Sequence, residues 1–399
     1  MLHNFSSSSL RIASMRSQPL FQIAVGSSTQ LIATSHRHAS SFSSTSKRKP
    51  PSLLTLADLS VAQIQSLIDL SAQFKAAYYS NSYALPASSR KQLSANEHPV
   101  PQSLKDKQIA VLFTKRSTRT RIASETSISA LGGHPIFLAP SDIQLGVNES
   151  LLDSAKVISS MTHGIMARVG SHEEIETLAE HSSQPVVNAL SARYHPTQIL
   201  ADLLTMVETY GSASAKEGSS LRSLAGLKVA WVGDSNNILN DMIVSFPRLG
   251  IDLSIATPPA KGAMYARDEV VWETAHRGIE EHRALDSQAP IGKLEWTHDP
   301  RVAVRHADIL VTDTWISMGD EASKDERLRD FDGFQITEKM AAEGGAKGDW
   351  KFMHCLPRKP QEVDDEVFYG NRSLVFPEAE NRKWSIMAIF DRVFGNWSY

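Results

Sequence analysis

Short apolar runs, each closed by polar residues or glycine and followed by a stretch of helical spacing, recur along this chain. They occupy residues 109–113 (IAVLF), 228–232 (KVAWV), 253–256, 309–312 and 351–356. A strand that is apolar on consecutive residues, rather than on every second one, has to be buried on both faces, which is the situation of a parallel sheet covered by helices. The stretches between supply the cover. Residues 56–79 place Val61, Ile64, Leu67, Ile68 and Leu70 at helical spacing, and residues 197–210 (TQILADLLTMVETY) form a strongly amphipathic helix. Strands alternating with helices predict an α/β chain. Its 399 residues suffice for two domains with separate cores. The Gly- and Ser-rich stretch 211–223 (GSASAKEGSSLRS) marks the linker between them.

The opening of the chain is a different kind of sequence. No Asp or Glu precedes Asp58, whereas Arg11, Arg16, Arg37, Lys47, Arg48 and Lys49 are basic and 14 serines lie between Ser6 and Ser46. An acid-free, Arg- and Ser-rich start is the composition of an organellar transit peptide, so residues 1–47 are expected to be one, although a disordered tail without an address has a similar composition. A secretory signal fits worse, because its apolar core would span only residues 20–25 and is broken by Gln22.

Whole-chain charge points to a small partner. Lys+Arg 41 against Asp+Glu 44 gives −3, and setting aside the six basic residues of the opening leaves 35 against 44, or −9. Neither balance creates the basic field that nucleic acid requires. No apolar run reaches the roughly 18 residues of a membrane span. A single cysteine, Cys355, excludes an internal disulfide framework and a Cys-rich zinc site. His-Glu-x-x-His is absent, and Gly233 alone cannot form the three-glycine dinucleotide fingerprint. No metal and no cofactor are expected.

The chemistry concentrates where the apolar runs end. In residues 113–121 (FTKRSTRTR), Ser117 is a good N-cap, so Ser117, Thr118 and Thr120 offer hydroxyls and first-turn N–H groups at a helix start that favours an anion. Arg119 and Arg121 add forked donors suited to phosphate. A capped surface helix with solvated arginines has the same pattern. His195 and Gln198, in HPTQ, share one helical turn and are expected to donate together to a carbonyl whose attack forms an oxyanion; a plain helix cap fits as well. Asn236 and Asn237 follow the 228–232 run, where side-chain amides suit a carboxylate or an amine, or simply a turn. Asp313 ends another run and is a natural partner for a substrate ammonium. Cys355 ends the last, as a nucleophile, a weak polar contact or an inert small hydrophobe.

Taken together, these motifs resemble the carbamoyltransferases, and among them the ornithine carbamoyltransferases of the mitochondrial type. The resemblance runs from about residue 54 to the C-terminus through STRTR (117–121), HPTQ (195–198), DTWISMG (313–319), HCLP (354–357) and FPEAENR (376–382). It implies an α/β fold of two domains, each a parallel β-sheet flanked by helices. A carbamoyl-phosphate domain (52–208) and a linker (209–225) precede an ornithine domain (226–380), and a C-terminal helix from about residue 381 within 381–399 returns to the first domain. It further implies transfer of the carbamoyl group from carbamoyl phosphate to the side-chain amine of L-ornithine, in a homotrimer of the mitochondrial matrix that makes citrulline for arginine biosynthesis. Carried over by motif, Ser117, Thr118, Arg119, Thr120, Arg168, His195, Gln198, Leu356 and Arg382 hold carbamoyl phosphate, with Gln144 reaching in from the neighbouring subunit. Asn237, Asp313, Ser317 and Met318 hold ornithine, and Cys355, Asp313, Arg119 and His195 are the catalytic set. One departure is Lys156, where the family usually has Arg. Two rival readings remain: a carbamoyltransferase for another amine, and a catalytically silent, carbamoyl-phosphate-binding regulatory homologue.

Overall fold

The computed structural model describes residues 51–80, 98, 100–139, 149–211, 221–316 and 321–399. The segment read as a leader, Gln144, most of the Gly/Ser linker, Ser317 and Met318 lie outside the described residues.

Two parallel sheets organise the chain. The first contains β1 (Gln108–Phe113), β2 (His134–Leu138), β3 (Ile165–Arg168) and β4 (Val186–Leu190) in the order β2-β1-β3-β4. The second contains β5 (Lys228–Val232), β6 (Asp252–Ala256), β7 (Leu294–Thr297), β8 (Ile309–Thr312) and β9 (Lys351–His354) in the order β7-β6-β5-β8-β9. Every strand pairing in both is parallel. The five runs read from the sequence are β1, β5, β6, β8 and β9, and β1, β5, β6 and β8 are buried at all or nearly all positions. The structure adds β2, β3, β4 and β7. Strand β2 is an edge strand with no fully buried residue, and it contains a proline, so its sequence gives no continuous apolar signal.

Helices cover both sheets. In the first lobe they are α1 (Val61–Ser80), α2 (Thr118–Ala130), α3 (Leu151–Met161), α4 (His172–His181) and α5 (Pro196–Tyr210). In the second they are α6 (Asn237–Ser245), α7 (Glu269–Leu285), α8 (Pro300–Val304), α9 (Lys324–Asp330), α10 (Glu338–Gly344) and α11 (Asp365–Tyr369), followed by α12 (Val375–Phe390). Two expectations are corrected. The opening helix is split: Leu56–Asp58 is a separate 3-10 turn capped by Thr55, and α1 begins only at Val61. The last helix begins at Val375 rather than near Asn381 and gives way to a π turn at Asp391–Gly395. It packs chiefly on α5, α2 and α1, all first-lobe helices, because Trp384, Ile386, Met387, Ile389, Phe390 and Phe394 are fully buried there.

The lobes are also pinned by a buried carboxylate. Asp241, on α6 of the second lobe, accepts from the Thr55 hydroxyl at 2.8 Å, Leu56 N–H at 3.0 Å and His195 N–H at 2.6 Å. All three donors come from outside its own lobe. Asp241→Ala orphans them and is predicted to destabilise the chain by about 3 kcal/mol, read as a lower urea midpoint, whereas Asp241→Asn keeps two of the three bonds and loses less.

Candidate active site

Each sheet has one point at which the chain order reverses. From β1 the chain moves outward to β2 and then crosses to β3, and from β5 it moves through β6 to β7 and then crosses to β8. The crevice beyond the carboxyl ends of such a strand pair is where parallel sheets bind ligands. In the first sheet those ends deliver the Ser117 turn after β1 and Arg168 at the end of β3; in the second they deliver Asn236 and Asn237 after β5 and Asp313 after β8.

The first-lobe site is an anion site. Ser117 caps α2, its hydroxyl accepting from Thr120 N–H at 3.4 Å. Arg119, Arg168 and Arg382 converge there: Arg119 is close enough to lower the proton affinity of Arg168, and Arg119 and Arg168 that of Arg382. Among the described residues none of the three is ion-paired to a carboxylate. The Nε–H groups of Arg168 and Arg382 are buried without a partner. Burial, reinforced by the other arginines, lowers Arg168 and Arg382 to about 10, so both remain charged near neutrality. Three guanidinium groups, two of them with an unpaired Nε donor and none ion-paired among the described residues, make a place suited to a multiply charged oxyanion.

Arg382 is only 3% exposed and reaches this point from α12. Its Nη1 donates to Gln198 Oε1 at 2.6 Å, and its Nη2 to Thr197 Oγ1 at 3.1 Å and Thr120 Oγ1 at 3.3 Å. His195 occupies the N-cap of α5 with its ring Nδ1 3.4 Å from Thr197 Oγ1. Burial first, then Arg382, Arg168 and Arg119, holds its imidazole well below the usual histidine range, so the ring is neutral and keeps one N–H to donate.

Two expectations about donors change. Gln198 does not join His195 as a donor: its Nε2 is engaged by Asp202 Oδ1 and Glu378 Oε1, both at 2.8 Å, which leaves its oxygen to orient Arg382. Arg121 turns away from the site, bonding Glu125 at 2.8 Å with its guanidinium 3.6 Å above the Phe137 ring. Thr118 is exposed at the start of α2.

Across the cleft, Cys355 follows the end of β9 and donates from Sγ to Asp313 Oδ1 at 2.9 Å, while Asp313 Oδ2 accepts from Asn236 Nδ2 at 2.9 Å. Asn236 also caps α6, so a single residue fixes both that helix and the carboxylate. Asn237, the member of the Asn pair that the resemblance carries over, donates from Nδ2 to Ser191 O at 2.7 Å. Leu356 sits at φ 63°, its N–H donating to His354 Nδ1 at 2.8 Å, and its carbonyl accepts from Arg119. That contact joins the two halves of the site. Behind it, Glu362 bonds His354 Nε2, Trp315 N–H and Lys359 N–H at 3.1, 3.2 and 2.7 Å, tying the Asp313 loop to the Cys355 turn. Asp202, Glu378 and Glu362 are the site residues that motif reading missed. The i, i+4 spacings of Gln198 to Asp202 and of Glu378 to Arg382 were the available signal.

Burial, with the Asp313 carboxylate beside it, pushes the Cys355 thiol well above the usual cysteine range. A thiol that donates to the Asp313 carboxylate fits a positioning contact better than a covalent nucleophile. Because the chain has one cysteine, iodoacetamide labelling of the folded protein reports Cys355 alone. Labelling at mildly alkaline pH is predicted to be at least about tenfold slower than in urea; equal rates would contradict a raised thiol.

Fold and site define a two-lobed α/β protein that faces an oxyanion pocket in one lobe with a hydrogen-bonded carboxylate and thiol in the other. Comparison with known proteins agrees. Residues 51–208 match the family model described as aspartate/ornithine carbamoyltransferase, carbamoyl-P binding domain, and residues 225–393 match its Asp/Orn binding domain. The chain is 46% identical over 362 residues to a mitochondrial ornithine carbamoyltransferase of Aspergillus niger, covering 90% of each chain. It is 46% identical over 351 residues to that of Schizosaccharomyces pombe, covering 88% of this chain and 96% of the relative. The crystal structure of a mitochondrial ornithine carbamoyltransferase from Coccidioides immitis superposes with a TM-score of 0.75 at 42% identity, covering 88% of this chain and 99% of that one. The chain belongs to the aspartate/ornithine carbamoyltransferase family.

Proposed function

We propose that the chain is an ornithine carbamoyltransferase, converting carbamoyl phosphate and L-ornithine to L-citrulline and phosphate in arginine biosynthesis. The observation that carries this is the trio Arg119, Arg168 and Arg382, not ion-paired among the described residues, facing Asp313 and the Cys355 thiol that donates to it across the cleft. Carbamoyl phosphate is held by Ser117, Thr118, Thr120 and the three arginines, with His195 and Leu356 at its carbamoyl end. Gln198 orients Arg382. The ornithine amine docks against Asp313 and Cys355, and Asn237, Ser317 and Met318 receive the amino-acid end.

The reaction is attack of the neutral amine on the carbamoyl carbon. At a Lys-like pKa of about 10.4 the amine is almost fully protonated at neutral pH, and deprotonation costs about 1.4 kcal/mol per pH unit. The ammonium gives its first proton to solvent, enclosure in the cleft favours the neutral form that remains, and Asp313 and Cys355 orient its lone pair toward the carbamoyl carbon. Arg119, the neutral imidazole of His195 and the Thr120 hydroxyl stabilise the carbonyl oxygen as it becomes anionic. The C–N bond forms, the C–O bond to phosphate breaks, and the phosphate departs into the arginine trio, where it is the base available for the remaining amine proton.

We infer a homotrimer in which Gln144 of a neighbouring copy completes the phosphate site. Support comes from the resemblance and from exposed apolar side chains on the first lobe: Ile122, Ile136, Val157 and Met161. The acid-free opening, together with relatives named as mitochondrial, supports import into the mitochondrial matrix.

The test is product formation with ornithine beside aspartate, putrescine and N-acetylornithine. Citrulline from ornithine, with the others at background, is expected; a different preferred acceptor would assign another carbamoyltransferase, and carbamoyl phosphate binding without turnover a silent homologue. kcat/KM for ornithine should rise with pH up to about 9, with a log slope near one, because the neutral amine attacks. Asp313→Asn should lower kcat by about 100-fold while carbamoyl phosphate affinity changes little.

A further inference from the structure

Behind Arg382, on the far side of the Gln198 amide, lies a pair of acids. Asp202 on α5 and Glu378 on α12 are each 2% exposed. Both face the same amide nitrogen of Gln198 at 2.8 Å, and they lie within hydrogen-bonding reach of each other. Glu378 has a second contact: its Oε2 accepts from His354 N–H at 2.9 Å, the residue before Cys355. One carboxyl group therefore touches the Gln198–Arg382 relay with one oxygen and the backbone leading to Cys355 with the other.

We propose that Asp202 and Glu378 are positioning residues of the carbamoyl-transfer site, holding one proton between them and thereby fixing the direction of the Gln198 amide and the aim of Arg382. The inference rests on the activity proposed above. Two carboxylates cannot both ionise at this separation in a dry site, and one proton between them leaves enough acceptor oxygens to take both Gln198 N–H groups. If the amide flipped, its NH₂ would face the Arg382 donors and its oxygen would face the acids. The pair makes that state unfavourable, so Arg382 always meets an acceptor at Nη1 and keeps Nε for the anion. Glu378 also ties that geometry to the position of Cys355 in the opposite half of the site.

The surroundings agree. Burial raises both acids, and for Glu378 the neighbouring Asp202 charge adds to it. The charged or titratable groups facing the pair are Arg382 from α12, Asp313 after β8, and Cys355 with the His354–Glu362 couple after β9. Arg382 is the one cation among those groups, and Gln198 stands between it and the acids, so neither carboxyl group contacts the guanidinium directly.

Infrared difference spectroscopy at neutral pH on the full chain tests this. Wild type minus Asp202→Asn, and wild type minus Glu378→Gln, should each show the C=O band of a protonated carboxylic acid; the subtraction cancels all other carboxyls, Asp241 included. In steady state, kcat/KM for carbamoyl phosphate should fall about tenfold in Asp202→Asn and about 100-fold in Asp202→Asn/Glu378→Gln, with KM for ornithine moving less than about threefold and the melting temperature retained. Asp202→Ala should lose more than Asp202→Asn, because only asparagine replaces the shared hydrogen. Absence of the acid band in both differences, or a double variant as active as wild type, would overturn the proposal. If the wild type makes no citrulline, the activity reading fails, and the infrared comparison still decides the pair.

Discussion

Arg382 is the constraint on which the rest of the site depends. A guanidinium this deeply buried, with no carboxylate paired to it, is an expensive group to keep charged in a folded protein. It is tolerated because three neutral oxygens, from Gln198, Thr197 and Thr120, solvate it in place of water. Arg168 and Arg119 lie close by, so the pocket has stored repulsion that an oxyanion relieves. Under the proposed function, binding and stability are opposed at this position.

The chain brings Arg382 there by an indirect route. Two parallel sheets each present one switch point, and the loops at those points carry the groups that face each other across the cleft. The anion half has only Arg119 and Arg168 until α12 leaves the second lobe, packs among α5, α2 and α1 and adds Arg382. Its apolar face is buried against first-lobe helices, and the same helix carries Glu378 and Arg382 one turn apart. Hydrophobic packing on one side of α12 therefore sets charge placement on the other. Asp241 does the converse from α6, holding His195 at the start of α5 from the second lobe.

Much of this was legible in the sequence, for identifiable reasons. β1, β5, β6 and β8 could be read because burial on both faces produces consecutive apolar residues. β2 and β7 could not: β2 is an exposed edge, and β7 has no fully buried residue. Ser117 was recognisable as the cap of α2, since capping is a local role. Arg121 was misread because nothing in residues 117–121 says which of two arginines meets Glu125 and Phe137. The role of Gln198 depends on Glu378, 180 residues away, and no local pattern reports such a partner. Asn236 rather than Asn237 meets Asp313 because Asn236 takes the N-cap of α6 and thereby faces the β8 end.

The account's central claim is that Arg382 is held buried and unpaired to receive the phosphate of carbamoyl phosphate. Calorimetric titration of carbamoyl phosphate, without ornithine, into the wild-type chain and into Arg382→Met tests it directly. Wild type should bind, and the variant should bind about 100-fold more weakly or not at all, as expected for loss of a charge-assisted contact. Equal affinity in the two proteins would contradict the claim.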